Sequence, residues 1–82
     1  MGRRSIDDSS RVRAELLAAY LSGARDQRQL SVQDLSTASG VHYETVRSLL
    51  AAKSAGPSFF IVADLARALE VPLEQLDSRT KP

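Results

Sequence analysis

With 82 residues the chain is one domain at most. A domain of this size buries only about 60% of the surface its unfolded form exposes, so a partner surface is the usual supplement to its stability. The absence of cysteine excludes a disulfide scaffold and a thiolate zinc site, and a net charge of +1 gives no electrostatic reason to expect nucleic acid.

Residues 1–10 read as a flexible basic and polar arm. Arg3 and Arg4 stand against Asp7 and Asp8, Ile6 is the one apolar side chain beyond Met1, and Ser9 or Ser10 is available to cap a helix. No apolar signal-peptide core follows the arm. A first helix is predicted over 11–22, with Val12, Leu16, Ala19 and Tyr20 on one stripe and Gly23 as its C-cap. Residues 24–29 then form a polar connection.

A second helix is predicted over 31–39. Leu30 packs just ahead of it, Ser31 and Asp34 make a near capping box, Leu35 faces the core, and Gly40 ends it in a tight turn. Val41 turns back toward the core. A third helix follows over 43–51, with Val46, Leu49 and Leu50 at helical spacing and Tyr43, Glu44, Arg47 and Ser48 off that stripe. The Gly-Pro break in 52–58 reads as a loop. Ser58 then caps a fourth helix over 59–69, whose stripe is Val62, Leu65, Ala66 and Leu69. Phe59 is assigned to the core; Phe60 and Ile61 are open between core and a dimer face. Pro72 opens a short fifth helix over 72–77 with Leu73 and Leu76 inward, and 78–82 read as a polar tail. The expected fold is therefore all-α, a compact bundle of four to five short helices, with the domain proper at 11–77. The longest apolar run, Phe59 to Ala63, is too short to span a bilayer.

The informative stretch is LSVQDLSTASGVHYETVRSLL, residues 30–50. Two short helices joined by a Gly turn form a helix-turn-helix, in which the second helix rests its apolar face on the first and presents its polar face outward. Such a helix fits the major groove of duplex DNA, where every base pair shows a distinct pattern of donors and acceptors. On this reading Arg47 suits a bidentate contact to guanine. Glu44 suits acceptance from cytosine N4, Tyr43 a thymine methyl or a phosphate, and Ser48 lies beside them. Gln33 and Thr37 on the second helix suit phosphates or flanking bases, and Lys53 and Ser54 the backbone beyond the third. Arg3 and Arg4 are either a solubilising terminus or a groove-reaching arm.

The order of these features resembles the lambda-repressor-like, Cro-type DNA-binding domains of the XRE family, over residues 11–77. The family's pattern appears as Leu30-Ser31, Leu35, Gly40-Val41, Thr45-Val46, Lys53 with Pro57-Ser58, and Leu65-Ala66-Arg67-Ala68-Leu69-Glu70-Val71. Four positions depart from it: Val32 where Gln is common, Ser36 where Ala is, His42 where Ser is, and a loop one residue longer at Gly56. The resemblance implies a five-helix fold, DNA binding through the third helix, and often homodimers on palindromic operators.

The function expected is a sequence-specific duplex-DNA-binding transcriptional regulator, a phage- or plasmid-type repressor or a Cro-like protein, cytoplasmic and either associated with a bacterial nucleoid or phage-encoded. The alternative is a protein-interaction module such as an antitoxin or accessory subunit, which the low net charge and Glu44 favour. Arg47, Tyr43 and Glu44 would otherwise be ordinary solvated side chains; their place in the motif makes them candidates. His42, the one histidine, reads as a cap rather than a metal ligand. No nucleophile, phosphate-cradling loop or carboxylate pair points to an enzyme, and no cofactor, small-molecule effector or membrane partner is expected.

Overall fold

The computed structural model describes residues 2–53 and 57–81, with side chains from Ser10 onward. Over these it is all-α, with five helices and no strand: α1 Gly2–Gln27, α2 Val32–Ser39, α3 Tyr43–Leu50, α4 Phe59–Leu69 and α5 Leu73–Arg79. α2 packs on α3 and α4, and α1 lies across α3, α4 and α5.

α1 corrects the sequence reading at both ends. Residues 2–10, read as an arm, are helical, and no proline interrupts propagation from the helix beyond them. At the other end Gly23 does not stop the helix. Its termination comes at Gln29, which adopts the left-handed conformation (φ 58°) while the Leu30 N–H donates to the Arg25 carbonyl at 3.1 Å. This is the 6→1 bond of a Schellman ending, with Leu30 half-buried behind it. The Arg25 guanidinium also donates to the Leu30 carbonyl at 2.7 Å.

The buried stripe of α1 differs as well. Ala14, Ala18 and Leu21 are its buried positions, with Leu17, Tyr20 and Ala24 partly buried, while Val12 and Ala19 are exposed. Two apolar stripes overlap in this segment. The one rich in alanine faces inward, because small side chains let a long helix lie close across three others.

α2 starts on the capping box. The Ser31 hydroxyl accepts from the Asp34 N–H at 2.9 Å, and the Asp34 carboxylate accepts from the Ser31 N–H at 3.0 Å. The Ser31 backbone N–H, and after it the Ser31 hydroxyl, hold the Asp34 carboxyl below its ordinary value of 3.8. A carboxyl lowered on folding contributes stability that is complete above the ordinary value and is lost as pH falls through the lowered one. The melting-temperature gap between wild type and Asp34→Asn is thus expected to be widest above about pH 5 and to close on acidification. Circular dichroism melts across the acid range check this, and a pH-independent gap contradicts it.

Leu21, Leu35, Val46, Leu49 and Leu65 are fully buried, joined by Val41, Ala66, Leu69 and Leu76. The expected core is largely present, with two exceptions. Phe59 is 64% exposed and Leu73 is 41% exposed. Both sit in the first turn of their helices and line a groove open to solvent between α1, α4 and α5. Residues 78–80, read as the start of a polar tail, instead complete α5 and dock it. Thr80 is buried, and its carbonyl accepts from the Arg13 guanidinium at 3.1 Å.

Among the described residues no helix is long and apolar enough to cross a membrane. No group of three or more His, Cys, Asp or Glu side chains there could hold a metal ion.

Candidate nucleic-acid interface

The helix pair is set by its turn. Gly40 takes φ 77°, a conformation that suits glycine because a Cβ there meets the following carbonyl. Its N–H donates to the Ser36 carbonyl at 2.9 Å, which closes α2. Two buried serine hydroxyls then bind the chain that leaves the turn. Ser36 Oγ donates to the Val41 carbonyl at 2.6 Å, and Ser39 Oγ accepts from the Val41 N–H at 3.1 Å. Val41, buried between them, thus has both backbone polar groups satisfied by side chains of α2. His42 caps α3, its Nδ1 accepting from the Glu44 N–H at 3.2 Å.

This arrangement accounts for three of the departures from the family pattern. Ser36 supplies a hydrogen bond that alanine lacks, His42 does the capping expected of serine, and Val32 is half-buried against the core. Reading the sequence alone misses the two-serine clasp. Its signal is a pair of serines spaced three apart ahead of Gly40-Val41, and each taken alone is a commonplace helix residue.

α3 buries Val46 and Leu49 and leaves Tyr43, Glu44 and Arg47 on the outside. Arg47 Nη1 donates to Glu44 Oε1 at 3.3 Å, a pair exposed on both sides. Such a surface pair contributes little to stability and yields readily to another partner. Glu44 sits in the first turn, where the helix dipole favours an acid. Ser48 is half-buried and lies at the edge of this face.

On α2, Gln33 and Thr37 are exposed and linked, Gln33 Nε2 donating to Thr37 Oγ1 at 3.3 Å. Lys53 is exposed just past α3, anchored by its N–H on the Ser48 carbonyl at 2.9 Å. Ser54 and the side chains of Arg3 and Arg4 lie outside the described residues. The face as described offers a guanidinium, a primary amide, a phenol and an ammonium as donors, with one carboxylate among them.

The sequence matches a helix-turn-helix family, HTH_3, over residues 14–76, which include all of α2, α3 and α4. No curated protein and no solved structure matches the chain.

Proposed function

The chain belongs to the HTH_3 family of XRE/Cro-type helix-turn-helix DNA-binding domains, and from that membership we propose that it is a sequence-specific regulator of transcription, of the phage or plasmid repressor or Cro type. The observation that carries this reading is the outward face of α3. Tyr43, Glu44 and Arg47 project from a helix whose opposite side is locked on α2 and the core. A rigidly mounted helix with a guanidinium, a carboxylate and a phenol on its free side is suited to reading base edges.

In this reading Arg47 exchanges Glu44 for the O6 and N7 acceptors of guanine, and Glu44 then accepts from cytosine N4. Tyr43 packs on a thymine methyl or bonds a phosphate, and Ser48 contributes at the edge. Gln33, Thr37, Lys53 and Ser54 hold phosphates and so fix the register. Arg3 and Arg4 reach the flanking backbone. Two copies bind a palindromic operator, and the protein works in the cytoplasm where such operators lie.

Glu44 opposes the phosphate field. Glu44→Ala is therefore expected to raise affinity for random duplex several-fold while lowering the ratio of operator to random binding. Fluorescence anisotropy on both duplexes measures this; an unchanged ratio removes Glu44 from base readout.

The reading as a whole is tested by selecting binders of the purified chain from random duplex DNA at about 0.1 M salt. A two-fold motif with half-site centres about 34–36 Å apart supports the dimeric operator reading. No enrichment where non-specific binding is saturated rejects it. That outcome favours the protein-interaction alternative, with which the near-neutral charge and the Glu44–Arg47 pair also agree.

A further inference from the structure

A groove of about 640 Å³ runs between α1, the start of α4 and α5. Leu17 lines it from α1, Phe59 and Val62 from α4 and Leu73 from α5, and the paired Arg13 and Asp77 line it as well. Beside it stands Phe60, 76% exposed, with its ring edge-on to Phe59 at a centroid distance of 5.7 Å. An aromatic side chain left this open at the edge of a groove with an apolar wall is not accounted for by packing within one copy.

We propose that the groove is the seat of a second copy of this chain, with Phe60 of each subunit inserted into the groove of the other. A two-fold interface must be self-complementary, so the projecting group and the hollow that receives it have to lie side by side on one face. Phe60 and the groove are so placed. The area also fits. Phe59 and Phe60, at their exposures, offer about 250 Å² of apolar surface per subunit. That is roughly half the apolar area in one side of a standard interface of about 800 Å² per partner. Leu73 and the groove walls supply further apolar area.

None of the residues lining the groove belongs to α2 or α3, so a copy seated there leaves the outward face of α3 open. The proposal deepens the two-fold reading above by naming the face that dimerises. It rests on that reading only for the operator, and a measurement without DNA separates the two.

Sedimentation of the full chain in the absence of DNA, from about 1 µM to 1 mM, tests it across the affinity range of small dimers. The wild type is expected to show a reversible monomer–dimer equilibrium. Phe60→Asp is expected to raise the dissociation constant at least about 100-fold, since one central aromatic is lost from each side. Its helix content and low-concentration melting temperature stay those of wild type, because the side chain is exposed.

The chain has no cysteine of its own, so Phe60→Cys and Leu73→Cys can be mixed and oxidised. The expected product is a dimer whose disulfide joins one variant to the other, in preference to either variant paired with itself. A wild type that stays monomeric at about 1 mM overturns the proposal. So does a Phe60→Asp variant that dimerises as wild type does, or a dimer that forms no such crossed disulfide. A monomeric Phe60→Asp variant that still binds one half-site supports the interface and leaves the α3 reading intact. Loss of operator enrichment in a wild type that dimerises as described rejects the DNA reading alone.

Discussion

Leu35→Ala is expected to lower the unfolding free energy of the domain by about 2–5 kcal/mol, and its melting temperature by roughly 10–30 °C. Leu35 is fully buried on α2, the helix that packs on both α3 and α4. Truncation removes its transfer free energy and leaves a cavity that three helices with interlocked side chains cannot fully close. An 82-residue domain has about 4–12 kcal/mol of stability to lose, so the variant sits near the edge of folding. Phe60→Ala is the matching control. It deletes a larger apolar group from a site that is 76% exposed, and at concentrations where the chain is monomeric it is expected to change stability by less than about 0.5 kcal/mol. Urea titrations of the two variants, followed by circular dichroism, decide the point. Comparable losses in both would mean that the assigned core is wrong.

Arg47→Ala is expected to weaken binding to the selected operator by about 10- to 100-fold per half-site, the worth of one bidentate contact to guanine. The same change is expected to leave the fold intact, because Arg47 is exposed and its pairing with Glu44 at 3.3 Å is a surface one. Preference at the guanine position is expected to relax with it. Lys53→Ala provides the contrast. As a proposed phosphate contact, its loss is expected to weaken all duplexes by a similar factor and to reduce the salt slope by about one, without changing which bases are preferred. Repeating the duplex selection with both variants separates these outcomes. Equal losses on operator and random DNA for Arg47→Ala would move Arg47 from reading bases to holding backbone.

The helix-turn-helix was legible because each of its signals is local. Ser31 with Asp34, Gly40, and the spacing of Val46, Leu49 and Leu50 act within a few residues, so the bounds of α2, α3 and α4 fell within a residue of those observed. α1 was harder for the opposite reason. Its end depends on Gln29 in a conformation that residue type does not advertise, and on Leu30 and Arg25 closing over it. Its inward face was a choice between two stripes, which only the neighbouring helices could make. Phe59 and Leu73 misled because an apolar residue in the first turn of a helix has no partner unless another element reaches that far. For the candidate site, the positions facing outward could be read from period alone. The hydroxyl clasp behind them could not, since a serine within a helix carries no sign that its hydroxyl turns back to bind the chain leaving the turn.

That clasp bears on when order is acquired. The Val41 amide lies outside any helix, in a turn of three residues, yet it is buried and bonded to Ser39 Oγ. Its hydrogen is expected to exchange with solvent only when α2 and α3 part, that is, at nearly the rate set by global unfolding rather than by loop motion. The angle at which α3 is presented is then settled when the chain folds, and on the proposed reading DNA has to order side chains such as Arg47 but not the backbone that carries them. Discrimination by such a reader is a matter of shape already present. On that reading a duplex that does not suit the fixed face is rejected by the stiffness of two serine hydroxyls and a glycine that lie behind it.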